Sequence, residues 1–334
     1  MLILFFYLQI AYAAPDWHST YLQWTKKLPK QQSPEKAYRF SSTIHRDIAS
    51  LISKKPGVIS PFRLGYTVKN KPIWGFRIKD PKTEVKTKVL VFAGLHALEW
   101  VGTEVAFTTI ETLVRQPVAY VEVIVIPIIN EDRRQVSEQD LLAGNLRYRR
   151  VNSNGVDLDR DYAVHRQAHS FWRHIFPHYY TTSPAPLSQP ESRALDKLLQ
   201  QETFEAAISL HCFGGYIFYP WAGIYQKPQD HAEFVHLSNV MMSAQRGMHP
   251  YRPQQLSRFA FFFKAHGSEI DHLYGKYGIK AFLIEMTRSG IHPFRKKTWK
   301  NYFRWYNPVN PQKDILKGHD SILALTRHLG QQHW

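Results

Sequence analysis

The stretch Lys88–Val101 reads KVLVFAGLHALEWV and carries two side chains able to ligate a metal, His96 and Glu99, three residues apart. The apolar run before them reads as a strand and the residues after them as a helix, so the pair stands where one hands over to the other. Side chains at this spacing on a helix start lie on one face, close enough to share one ion. The chain holds a second pair of the same kind, His266–Glu269, so spacing alone does not decide between them. Two downstream segments favour the first. Glu205–Pro220 (EAAISLHCFGGYIFYP) reads as a strand with His211 near its polar end and a Gly214-Gly215 turn behind it; Ile279–Gly290 (IKAFLIEMTRSG) reads as another, ending in Glu285. A zinc hydrolase needs three protein ligands, an open position for water, and a carboxylate beside that water to take and return its proton. His96, Glu99 and His211 as ligands and Glu285 as proton carrier fill that list.

The elements that must position these residues follow from hydrophobic periodicity. The sequence predicts a mostly helical lead-in over 14–60, with Ser41–Ile52 amphipathic behind a serine cap. Strands are expected around Arg63–Thr67, Pro72–Lys79, Lys88–Ala93 and Val121–Pro127, the last two apolar enough to be interior. Helices are expected over Glu99–Arg115, Glu191–Gln201, Gln229–Arg246 and Pro311–Leu329, with Arg147–Tyr162 a polar, arginine-rich loop suited to substrate contact. Strands alternating with helices give an α/β/α sandwich around a mixed, mostly parallel sheet, with the site at strand ends. No linker or internal repeat interrupts the chain, so residues 14–334 read as one domain.

These segments resemble, in order, the M14 zinc metallocarboxypeptidases (carboxypeptidase A/B-like), and the resemblance spans most of the chain. LGYTVKNKPIWGFRI (Leu64–Ile78) is similar to the family's opening hairpin, HALEW carries its first two ligands, and RYRRVNSNGVDLDRDY (Arg147–Tyr162) resembles its central motif. QPESRAL (Gln189–Leu195), SLHCFGGYIFYPW (Ser209–Trp221) and SEIDHLYGKYGIKAFLIEMTRSG (Ser268–Gly290) follow. The resemblance implies one Zn²⁺ per chain held by His96, Glu99 and His211, with Glu285 as general base and acid. It assigns Arg149, within the cluster Arg147, Arg149, Arg150, to the scissile carbonyl and its oxyanion. Arg160 would anchor a substrate's terminal carboxylate, Phe263 falls at the family's mobile tyrosine, and Ile270 at the specificity position, favouring an apolar pocket. Asp157 would orient the loop or a zinc histidine. The departure is at Asp159, where VDLDRD replaces the family's VDLNRN. An acceptor-only carboxylate there is expected to repel an ordinary terminal carboxylate and to welcome a substrate ammonium.

Composition bounds the setting. The 334 residues carry 43 Lys+Arg against 27 Asp+Glu, a formal charge of +16, which favours anionic partners such as acidic peptides or envelope polymers. The basic stretch Arg295–Lys300 reads as a solvated face rather than a specific nucleic-acid site. Leu2–Ile10 followed by Ala11-Tyr12-Ala13 has the form of an export signal over 1–13, too short for a transmembrane anchor, which predicts an exported, periplasmic or secreted bacterial protein acting as a monomer. Cys212, the single cysteine, adjoins His211, but neighbours on a strand face opposite ways, so core packing is its expected role.

Three functions compete at this point. One is a peptidase removing a C-terminal residue, and a second is a cell-wall peptide amidase acting on a γ-D-glutamyl–diaminopimelate bond. The third is a non-catalytic envelope binding protein; the intact set of three ligands plus Glu285 argues against it.

Overall fold

A computed structural model describes residues 15–145, 147–167, 183, 185–245, 247, 249–260, 263–288 and 299–333. The proposed export signal and most of Arg295–Lys300 lie outside them. Eight strands form one sheet: β1 (Ile59–Tyr66), β2 (Pro72–Ile78), β3 (Thr87–Ala93), β4 (Val121–Ile126), β5 (Ala206–Cys212), β6 (Tyr216–Tyr219), β7 (Arg252–Gln255) and β8 (Lys280–Met286). Their order is β1-β2-β4-β3-β5-β8-β6-β7, parallel from β4 through β3 and β5 to β8 and between β6 and β7, antiparallel elsewhere. The α/β/α sandwich over a mixed sheet expected from the sequence is the observed fold.

Period-2 alternation divides the core between the two sheet faces. Val89, Val91, Ile208, Leu210, Phe282 and Ile284 pack into one cluster; Leu90, Phe92, Ala207, Ala281 and Leu283 pack into the other. The first face is covered by α1 (Trp17–Lys26), α2 (Ser41–Lys54), α3 (Trp100–Arg115), α6 (His231–Ser243) and α9 (Gln312–Gln331). The second carries α5 (Pro190–Gln201) and α7 (Glu269–Tyr277). Because parity is fixed along a strand, residues 207, 209 and 211 share one face, as do 281, 283 and 285. His211 and Glu285 therefore lie on the same side of adjacent parallel strands, where they are register partners.

Besides α7, two helices and one strand were not expected from the sequence. The helix α4 (Glu131–Leu142) has no apolar stripe; what it buries is Glu131, Asp132, Arg134, Ser137 and Glu138. These are satisfied within the helix and from distant segments, Arg134 Nε donating to Glu138 at 3.0 Å and His45 Nε2 lying 2.7 Å from Glu131. The edge strand β7 (RPQQ) lacks alternation, and α8 (Tyr302–Tyr306) is only five residues long. Among the described residues no helix is long and apolar enough to cross a membrane.

Candidate metal centre and active site

Three chain segments meet at the carboxyl ends of β3, β5 and β8, where an open α/β sheet ordinarily places its ligands. The turn after β3 delivers His96 and Glu99, with Glu99 at the N-cap of α3. Buried Asn307 pins that turn, its Oδ1 accepting from Trp100 N at 2.8 Å and its Nδ2 donating to Leu98 O at 2.7 Å. Gly102 lets α3 lie directly on β5, since a Cβ there would come within 2.9 Å of Leu210 O. Glu99 thus reaches across to His211.

The ligand atoms converge. His96 Nδ1 is 2.9 Å from Glu99 Oε1, and His211 Nδ1 is 3.1 Å from His96 Nδ1 and 3.2 Å from Glu99 Oε2. All three residues are buried, and their ligand atoms lie within 4.8 Å of one another. Glu99 Oε1 is buried with no hydrogen-bond partner, which is the state of an oxygen reserved for a cation. Both imidazoles present Nδ1 to the centre because Nε2 is held elsewhere: His96 Nε2 lies 2.9 Å from Asp157 Oδ1, and His211 Nε2 lies 3.2 Å from Glu269 Oε1 and 2.8 Å from Ser209 Oγ. Carboxylates behind ligating histidines fix the ring and raise its basicity. Two imidazoles and a carboxylate, all so oriented, fit Zn²⁺.

Glu285 stands beside this group, and its Oε2 is buried and without a hydrogen-bond partner. Burial, and then the charge of Glu99, push its carboxyl up to about 7; a cation on the three ligands opposes that push. Asp157 is held well below the usual carboxylate range against burial by Arg150 and then His96.

The structure redistributes the arginines. Arg149 is turned away, its Nε donating to Asp140 on α4 at 2.5 Å. Arg150 takes the position beside the ligands: its Nε donates to Asp157 at 2.8 Å, Nη1 lies 3.5 Å from Glu99 Oε1, and Nη2 lies 3.7 Å from Asp159. Of the two adjacent arginines it is Arg150 that faces the ligands. Asp159 and Arg160 follow, buried, with Arg160 Nη1 paired ionically to Asp159 Oδ2 at 3.5 Å and with neither Nε nor Nη1 of Arg160 making a hydrogen bond. Phe263 lies near, its ring centroid 6.0 Å from the Arg160 guanidinium carbon, and Ile270 is wholly buried in the second core cluster.

Glu269 is the residue that sequence reasoning set aside as half of a second metal pair. His266 Nδ1 instead lies 3.2 Å from His165 O, and Glu269 turns inward to His211. The Ser268 hydroxyl is 3.1 Å from Asp159 and 3.0 Å from Glu269, and the two carboxyls are hydrogen-bonded to each other. Burial, with Glu269 adding to it, pushes the Asp159 carboxyl above its usual range. Cys212 is buried on the opposite face from His211 and contributes only its backbone N–H, to Glu99 Oε2 at 3.0 Å.

Glu269→Gln is expected to weaken zinc affinity about 10–100-fold, the usual cost of losing a carboxylate behind a ligating histidine. Chelator competition on the purified protein measures this, and unchanged affinity would show that His211 is oriented by Ser209 alone.

Two buried histidines and a carboxylate with a further carboxylate beside them form a group that could hold a metal ion. The chain belongs to the zinc carboxypeptidase family, whose profile matches residues 44–304. It is 22% identical to mouse carboxypeptidase A2 over 276 residues, covering 77% of this chain and 64% of that protein. It is 23% identical to human carboxypeptidase B2 over 281 residues, with the same coverage of each. The chain thus spans slightly under two thirds of the length of these relatives. Among solved structures, the fold matches carboxypeptidase A from Helicoverpa armigera with a TM-score of 0.71 at 16% identity, covering 94% of this chain and 80% of that one. Bovine thrombin-activatable fibrinolysis inhibitor matches with a TM-score of 0.72 at 18% identity, covering 88% and 98%.

Proposed function

We propose that the protein is a zinc metallocarboxypeptidase that hydrolyses a peptide or amide bond to release a C-terminal residue. The observation that carries this reading is the convergence of His96 Nδ1, Glu99 and His211 Nδ1 at strand ends, with Glu285 the register partner of His211. His96, Glu99 and His211 would hold the zinc. The chemistry a bound zinc supplies at such a site is Lewis-acid polarisation of a water and a carbonyl. Glu285 takes a proton from the attacking water and returns it to the leaving amine nitrogen. The Arg150 guanidinium offsets charge that builds on the carbonyl oxygen. Arg160, with two guanidinium nitrogens free of hydrogen bonds, binds the terminal carboxylate as a fork. Export to the envelope is part of the same proposal and rests on the leader sequence.

The Asp159–Glu269 pair supports a finer reading of the leaving residue. The Asp159 carboxyl lies 3.5 Å from the Arg160 guanidinium, and an acidic group there suits a residue bearing an ammonium as well as a carboxylate. A diamino acid at a cell-wall peptide end is such a residue. On this reading Asp159→Asn raises kcat/KM for hydrophobic-ended peptides and lowers it for lysine-ended and diaminopimelate-containing ones. A charge contact in a partly desolvated site contributes on the order of 1–3 kcal/mol, or about 10–100-fold. Mass spectrometry of products from the three peptide classes, with and without chelator, tests both levels. Equal ratios in the two proteins would remove Asp159 from substrate reading, and chelator-insensitive cleavage would contradict the zinc assignment.

A further inference from the structure

Beside the catalytic carboxylate opens a cavity of about 980 Å³ whose walls the chemistry above leaves unused. Phe213, Gly214 and Gly215, beginning two residues after His211, form one wall, and Thr287 and Arg288, beginning two residues after Glu285, another. A Cβ on Gly214 would stand 3.1 Å from Glu285 Cβ, so the cavity is contiguous with the site rather than remote from it. Arg252 on β7 is the register partner of Tyr216, itself the partner of Glu285. At the usual strand separation this puts Arg252 two strands, or about 10 Å, from the base. The far wall is the start of α9, with Lys313, Asp314 and Lys317.

The charge of this lining is one-sided. Arg252, Arg288 and Lys313 have no ionic partner among the described residues. Asp314, the acidic lining residue, is already occupied, accepting from Tyr251 Oη at 3.0 Å with Lys317 Nζ 3.7 Å away. The N-terminus of the 20-residue α9 opens here without a side-chain cap, so its unsatisfied N–H groups add positive potential. Thr287, also in the wall and 2% exposed, has a buried hydroxyl with no hydrogen-bond partner. Cations left unpaired around a cavity, an uncapped helix start and an unused hydroxyl together describe a site built for carboxylates.

We propose that this cavity is the upstream half of the substrate groove and that it binds acidic peptides, through carboxylates N-terminal to the scissile bond. The inference rests on the peptidase reading for its direction along the substrate, but binding can be measured without turnover. Calorimetry with the Glu285→Gln protein compares two peptides of one sequence, differing only in Glu or Gln at three positions upstream of the last residue. The Glu peptide is expected to bind about tenfold tighter, the worth of one or two charge-assisted contacts. Arg252→Gln/Lys313→Gln should bring the ratio near one, and Arg252→Glu/Lys313→Glu should invert it in favour of a Lys-substituted peptide, a result misfolding cannot produce. Lys54→Gln on α2, which packs against the opposite edge strand β1, should leave the ratio intact. A ratio near one in the parent protein, or a tenfold preference that survives both double variants, overturns the proposal. Retained binding preference with no C-terminal residue released by the wild-type chain would instead sink the peptidase reading and leave the acidic groove standing.

Discussion

Glu285→Gln is expected to retain fold and metal while losing at least about 10²-fold, and up to about 10⁴-fold, in kcat, the range contributed by a positioned general acid–base. Glu285 is set by the parity and register of β8 against β5, so the amide occupies the same place with nearly the same volume. What changes is the capacity to accept a proton from water and deliver it to the leaving nitrogen. The buried Oε2 has no competing hydrogen bond to lose, so stability should move little. Steady-state kinetics with metal content measured on the same samples checks this. A variant that keeps its zinc and cleaves at the wild-type rate would place the base elsewhere.

Much of this site was legible because it is carried by strands. KVLVFAG, EAAISLHC and IKAFLIEM are apolar runs whose period and termini predict where His96, His211 and Glu285 emerge, and the parity of 211 against 212 separates ligand from core cysteine. Residues that act through irregular backbone were harder to read. Arg149 and Arg150 are equivalent as letters, and only the path of the loop between α4 and Asp157 decides which one faces Glu99. Glu269 belonged to a plausible but unused pair, and its role behind His211 depends on α7 packing beneath β5 and β8. Helix α4 was illegible for the converse reason, because its buried face is charged and its stability lies in partners 65 to 97 residues away, such as Thr67 and Ser41.

The same logic makes the ligand set the most sensitive part of the molecule. His96, Glu99 and His211 each contribute one inward atom, and each His has its other nitrogen engaged. Replacing any one by Ala leaves two ligands, and both zinc retention and turnover should collapse. The loss of activity should match or exceed that of Glu285→Gln, but with the metal gone rather than kept. This contrast separates a ligand from a base.

Metal stoichiometry by plasma mass spectrometry on the purified protein and its His211→Ala variant is the most direct test that these residues form one zinc centre. About one zinc per chain in the parent, the content of a mononuclear site, and a sharp loss in the variant are the results expected. Full zinc in His211→Ala, or none in a parent protein purified without chelator and supplied with zinc, would contradict the assignment.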